Sequence, residues 1–307
     1  MKQNKYTTIV AYFTEHNKNV YAKVGISKAM STYLKYDHTK NLIAGFIKDR
    51  YRKEDYEMEN IDMNFIMAFE LHLLKNCRYK TNTISKVMEI TRRILRLAEN
   101  DKIISSTPFD DYKLKREEVK REYLTEEELI LLLNKNLPYK RLEKVRDIFI
   151  FSCFTGLHYS DLSSLSSEHL EKGTDNSLPT LKIYRPKTYR PLIIPLLPVP
   201  QAILRKYGNT CSSGNLLPIV SLQKVNAYLK EIGNSCGFDK KLSFSLARHT
   251  FATMSMAKGV PIETISKILG HSNIRTTQSF IPMSNDKVGK DMLNFSEQLK
   301  GINYSIN

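Results

Sequence analysis

The stretch Phe244–Phe280, "FSLARHTFATMSMAKGVPIETISKILGHSNIRTTQSF", decides how the C-terminal half of this chain is read. It reads as three helices in quick succession, over 243–257, 261–269 and 273–280. Pro261 suits the first position of the middle helix, and Gly270 suits the left-handed residue just past its end. Arg248 and His249 then stand near the start of one helix, and His271 directly follows the glycine that stops the next. Nine residues beyond His271 comes an aromatic ring, Phe280.

Working outward, a further helix is expected over 221–233. Before it, "LPTLKIYRPKTYRPLIIPLLP" alternates Leu181 and Ile183 with Lys182 and Tyr184. The run breaks at Pro186-Lys187-Thr188 and resumes at Leu192 to Leu196, the pattern of a short hairpin with Lys187 in its turn. Upstream again, "KRLEKVRDIFIFSCFTG" reads as a buried helix with Gly156 at its C-terminal stop. "FTGLHYSDLSSL" places a turn and a new helix after it, with His158 and Asp161 in that turn.

The stretch Lys113 to Arg121 is charged and nearly without apolar residues, as in a linker. Thr125 with Glu128 forms a capping box that opens the next helix. The boundaries expected are a first domain over 1–115, a linker over 116–122 and a second domain over 123–307. The first domain reads as a small helical bundle. In "TNTISKVMEITRRILRLAEND", Ile84, Val87, Met88, Thr91, Ile94, Leu95 and Ala98 recur at three- and four-residue spacing and form one apolar stripe. Lys86, Arg92, Arg93 and Arg96 fall largely off it, as a face that lies along phosphates or as a solvated helix face. In "MNFIMAFELHLLKN", Phe65, Ile66, Phe69, Leu73 and Leu74 share one side. The fold class is therefore mainly α, with a small β-hairpin or sheet in the second domain.

The 307 residues carry a net charge of +15, with 47 Lys and Arg against 32 Asp and Glu. The excess is split evenly, +7 before residue 123 and +8 after. It points to a polyanion partner, nucleic acid before an anionic membrane. No run approaches the ~18 apolar residues of a membrane span, and "MKQNKYTTIV" has no leader-like apolar core. Cys77, Cys153, Cys211 and Cys236 are scattered without a C-x-x-C pair, which excludes the usual zinc and disulfide frameworks. A cytoplasmic protein on nucleic acid, with no metal and no cofactor, is expected.

With these motifs in place, the chain resembles the tyrosine recombinase (phage integrase) family, and specifically the integrases of mobile elements in Bacteroides-like bacteria. "LARHTFAT", "GVPIETISKILGH" and "IRTTQ" carry the resemblance most specifically. It implies a helical, SAM-like core-binding domain followed by a catalytic-type α+β domain, the two closing on duplex DNA. The chemistry implied is attack of a tyrosine hydroxyl on a phosphodiester, giving a 3′-phosphotyrosyl link and a 5′-hydroxyl, without metal. Two arginines would grip the extra negative charge of the phosphorane, a lysine would protonate the leaving oxygen, and histidines would assist.

Carried over by motif, the retained positions are Arg248, His271 and the hairpin Lys187. The departures are His158 where the family's first arginine stands, Ser245 where H-x-x-R has its histidine, and Phe280 where the tyrosine stands. A phenyl ring has no hydroxyl, so this copy is expected not to cut DNA. Tyr304 lies 24 residues beyond Phe280 and fits neither spacing nor helix. Three departures at separate positions suit decay or repurposing better than a single engineered change. His249 reads as a packed or capping residue. The resemblance begins near "IVAYFTEHNKNV", so an arm-type DNA-binding domain is expected to be missing. The function implied is DNA binding in recombination of a mobile element, as a homo-oligomer or together with an active integrase. An active recombinase with an unusual site and a transcription-type regulator are the rival readings.

Overall fold

A computed structural model describes residues 6–119, 121–173, 177–184, 191–208 and 214–279, together with 292 and 297. The chain divides into two compact units, Met1–Val119 and Lys120–Asn307. The expected turn at Pro186, Lys187 and Thr188 falls outside the described residues, as do Cys211, Phe280 and Tyr304.

The first unit is helical: α1 (Ile9–Tyr21), α2 (Met30–Tyr51), α3 (Met63–Lys75) and α4 (Thr81–Asn100). The start of α1 is capped from a distance. The Asp55 carboxylate accepts the Val10 and Ala11 N–H groups at 2.8 and 2.9 Å and the Thr8 hydroxyl at 2.7 Å. It thereby satisfies donors that no helix can satisfy for itself. Asp62 caps α3 by accepting from the Phe65 N–H at 2.8 Å. Behind these caps Phe46 packs edge-on to Phe65 and beside Phe69, each ring centre 5.2 Å away. The stripe read on α4 is buried along its whole length. On α3 the pattern holds for Phe65, Ile66, Phe69 and Leu73 but not for Leu74, which is 51% exposed. Leu74 falls on the outer side with Met67 and Leu71, also exposed. An apolar spacing alone does not say which of two adjacent residues turns inward.

The segment after α4 is extended and strapped to that helix. Ser85 donates its hydroxyl to the Lys115 carbonyl, Arg116 pairs with Glu89, and Asn82 Nδ2 donates to the Glu117 carbonyl at 2.9 Å. Side chains of α4 therefore hold this charged stretch as far as Glu117.

The second unit is built around α6 (Lys140–Thr155), which packs against α8 (Pro198–Tyr207), α9 (Leu222–Cys236) and α10 (Phe244–Ala257). Four consecutive residues, Ile148 to Phe151, are 0–1% exposed. A run buried on every side of the helix makes this half of α6 central. At about 1.5–3 kcal/mol for each such side chain, they are a main source of this unit's stability. A buried carboxylate on α6, Asp147, accepts from Tyr207 at 2.8 Å and Lys206 at 2.6 Å and fixes α8 to it. α5 (Glu126–Asn134) opens with the capping box of Thr125 and Glu128, and α7 (Tyr159–Ser163) follows α6. The remaining helices are α11 (Ile262–Leu269) and α12 (Ile274–Gln278). Pro261 sits one place earlier than read, as the N-cap of α11.

The sheet is antiparallel, in the order β1 (Leu170–Glu171), β2 (Thr180–Tyr184), β3 (Pro191–Pro195). Leu181 pairs with Ile194 and Ile183 with Leu192, so one face of the hairpin is buried and the other carries Lys182 and Ile193. Two elements were not legible. β1 is too short to show a period. α8 begins with Pro198 and Pro200, residues favoured in a first turn, but no helix was read between the hairpin and residue 221.

Candidate functional site

Three chain reversals of the second unit meet at Arg248. The first is the stop of α6. Gly156 takes φ +68°, and its N–H bonds back to the Ser152 carbonyl at 2.9 Å. A Cβ at Gly156 would lie 2.7 Å from both Leu269 Cδ2 and Phe251 Cδ1, so only glycine lets α10 and α11 approach this closely. The second is the stop of α11. Gly270 takes φ +67°, its N–H bonds to Lys267, and the His271 N–H bonds to Ser266 at 3.0 Å. That pair of bonds is the Schellman arrangement, and it delivers the His271 side chain at a fixed point beyond the helix. The third is the entry to α10, which carries Ser245 and Arg248 in its first two turns.

The Arg248 side chain is buried, 5% exposed. Its Nη1 donates to the Gly156 carbonyl at 2.6 Å, and its Nη2 to the Leu269 carbonyl at 2.6 Å. Both acceptors lie at helix C-termini, where carbonyls lack intrahelical partners and the dipole favours a cation. Nη2 also stands 2.8 Å from His271 Nε2, and His271 Nδ1 stands 2.8 Å from the hydroxyl of Thr277, which is fully buried on α12. One guanidinium therefore joins the ends of α6 and α11 and holds an imidazole against itself.

The other expected positions divide. His158 is exposed at the N-cap of α7, two residues beyond the carbonyl that Arg248 holds, and its N–H donates to the buried Asp161 carboxylate at 3.1 Å. Ser245 is exposed one turn before Arg248 and shares a 3.1 Å hydrogen bond with the Ser243 hydroxyl. Lys187 and Phe280 fall outside the described residues. His249, next to Arg248, is half-buried, and burial first, then the Arg121 cation, holds its imidazole below the usual range. Thr277 and the carbonyls of Gly156 and Leu269 carried no sequence signal beyond the "IRTTQ" motif, because backbone acceptors leave none.

On the first unit, Lys86 and Arg93 are exposed on α4, and Arg96 is exposed 3.4 Å from Asp110. Arg92 differs. It turns inward, donates to the carbonyls of Phe109 and Tyr112 and lies over the Phe109 ring. Among the described residues no group of His, Cys, Asp and Glu could hold a metal ion, and no helix is long and apolar enough to cross a membrane.

Two family models match the chain. The phage integrase SAM-like domain matches residues 8–114, and the phage integrase family matches residues 122–285. Among curated relatives, the tyrosine recombinase XerC of Syntrophus aciditrophicus is 26% identical over 246 residues, 74% of this chain and 77% of the relative. XerC of Bacillus licheniformis is 24% identical over 310 residues, 94% of each. Among solved structures, the Tn1549 transposon integrase in complex with a circular intermediate DNA aligns with a TM-score of 0.72 at 17% identity, covering 94% of this chain and all of that one. A lambda integrase dimer bound to a COC' core site aligns at 0.70 and 15%, covering 89% and 95%. At those identities the structural likeness is one of fold, and the matched domains carry the assignment. A helical SAM-like unit followed by a mixed unit that the integrase model spans from its first helix onward places this chain in the phage integrase family.

Proposed function

We propose that this protein is a DNA-binding tyrosine recombinase homologue of a mobile element, of the Bacteroides type, that holds duplex DNA without cutting it. One contrast carries the reading. Arg248 and His271 are brought within 2.8 Å of each other at a site already organised, yet the position nine residues beyond His271 holds Phe280. The phosphate side of the chemistry is retained, and the hydroxyl that would attack is gone.

In this reading Arg248 meets a DNA phosphate, with its plane set beforehand by two main-chain carbonyls, so little reorganisation is needed on binding. By the family's motif, Lys187 is carried over as a second cation of the site. His158 offers a single hydrogen bond where a guanidinium would offer a fork, and Ser245 offers a hydroxyl where an imidazole would stand. The net charge of +15 supports contact with duplex DNA by both domains. The solved relatives described as bound to DNA support the same partner. The protein acts in the cytoplasm, as an oligomer with itself or with an active integrase.

Selecting bound duplexes from a random pool and then incubating them with the protein tests the proposal. A selected sequence that is bound and stays unnicked supports it. No enrichment over the starting pool removes the DNA-binding reading. Nicking of the selected duplex would instead establish an active recombinase.

A further inference from the structure

The loop between α1 and α2 is folded tightly on itself and carries an aliphatic side chain at its tip. The Lys23 carbonyl accepts the N–H groups of Ile26, Ser27 and Lys28 at 3.3, 3.0 and 3.0 Å, and the Gly25 N–H donates to the Lys28 carbonyl at 3.0 Å. Gly25 takes φ +83°, which lets the chain reverse there. Ile26 stands in the turn and is 86% exposed, the most exposed large apolar side chain among the described residues. The backbone bonds fix the loop, so this exposure is built in and is not that of a loose end.

The tip is set among cations. Lys23 and Lys28 flank it, and both are exposed. The loop also stands on the same side of the first unit as Arg93 on α4. Tyr12 of α1 donates its hydroxyl to Asp101, at the end of α4, at 2.7 Å, and one turn further along α1 the His16 ring lies near the cations of both Arg93 and Lys28. This charge decides what covers the isoleucine. A second copy of the chain seated here through the same loop would bring its own Lys23 and Lys28 against these, whereas a polyanion is drawn to them.

On a duplex, an aliphatic tip can recognise only what is apolar. The base edges offer one such group, the 5-methyl of thymine, and it lies in the major groove. We propose that Ile26 is a specificity-determining residue: it packs on a thymine methyl in the major groove while Lys23 and Lys28 hold phosphates on either side. This rests on reading the protein as one that binds duplex DNA, and adds the base preferred at one position of its site.

The test uses a duplex selected from a random pool by this chain. Each thymine in turn is replaced by deoxyuridine, which loses the methyl and keeps every hydrogen-bonding group and the charge. At one position the replacement should weaken binding by about 4-fold, the worth of one buried methyl group. In Ile26→Ala the same replacement should have no effect, and in Ile26→Val most of the effect should remain. Both variants should unfold as the unaltered protein does, since the side chain is so exposed. Lys28→Gln should weaken all duplexes alike and lower the salt slope by about one. If no thymine distinguishes the unaltered protein from Ile26→Ala, the proposal is overturned and DNA binding stands. If Ile26→Ala dissociates an oligomer in the absence of DNA, the tip belongs to a second copy and the proposal is likewise overturned. A protein that enriches no duplex at all refutes the functional reading, and this proposal with it.

Discussion

Arg92 donates to the carbonyl oxygen of Tyr112 at 2.5 Å, with its guanidinium 5.4 Å from the centre of the Phe109 ring. Its neighbour Arg93 points outward on the same helix. Two adjacent arginines thus have opposite tasks, and the pair can be separated by experiment. Arg92→Ala should lower the stability of the first unit by about 1–3 kcal/mol, since it orphans two carbonyls and loses a stacked side chain. Arg93→Glu should leave unfolding nearly unchanged and weaken DNA binding on all sequences alike. Denaturant unfolding and duplex titration of both variants check this, and the reverse assignment of effects would refute it.

Duplex binding should be steeply salt-dependent. If the protein neutralises about six to ten phosphates, affinity should fall ~10³–10⁵-fold between about 50 and 200 mM salt. Titrations at a series of salt concentrations give the slope, and a flat dependence rules out binding through the phosphate backbone.

Gly156→Ala should destabilise the second unit by about 2–4 kcal/mol. A left-handed residue with a Cβ is strained, and the new atom would press on Leu269 and Phe251 at 2.7 Å. The carbonyl bound by Arg248 would shift with it, so phosphate binding should weaken in whatever fraction stays folded. A thermal unfolding curve identical to that of the unaltered protein would show that α10 and α11 give way easily there.

Stability should decline on mild acidification. His16 is held below its ordinary range by burial first, with Arg93 and Lys28 adding to the effect against the Asn17 side chain, and His249 by burial and then Arg121. A histidine with a lowered folded value binds fewer protons when folded than when unfolded. Its contribution is therefore present above about pH 6.5 and is lost as pH falls through the lower folded value. Melting temperatures between about pH 8 and pH 5 should fall, and His16→Gln and His249→Gln should each flatten the curve. An unchanged slope in both variants would exclude these two groups as its source.

No covalent adduct with DNA should form, and Phe280→Tyr alone should not give full activity. The restored hydroxyl would still meet His158 in place of an arginine and Ser245 in place of a histidine. At about 10²–10³-fold for a clamp and 10²–10⁴-fold for a proton-transfer group, the single change should stay ~10⁴-fold or more slow, about 5 kcal/mol of barrier. The triple change His158→Arg, Ser245→His, Phe280→Tyr should recover far more than its parts, since such groups act as a unit. A nicked suicide duplex on a denaturing gel reads this directly. A covalent band from the unaltered sequence would point to Tyr304 or another displaced tyrosine.

The helices that carry the site were legible because their stops are chemical. Gly156 and Gly270 adopt the left-handed conformation that the sequence reading required of them, and Thr125 with Glu128 forms the capping box. The buried stripe of α4 follows from period alone. What was not legible depends on groups without side-chain identity. Arg92 could not be told from Arg93, because the segment it binds presents backbone carbonyls. The same holds for Arg248, whose acceptors at Gly156 and Leu269 leave no residue type to read. Leu74 was misplaced because the spacing that makes a stripe also fits its edge.

The two carbonyls held by Arg248 bear on how such a protein ages. A buried guanidinium that ties together the ends of two helices is needed for folding whether or not any DNA is ever cut. A lineage released from catalysis would still be selected to keep it. Ser245, exposed on the first turn of α10, ties no two helix ends together in this way. The presence of Arg248 is thus explained by the fold alone, and by itself is no evidence for or against cleavage of a phosphodiester.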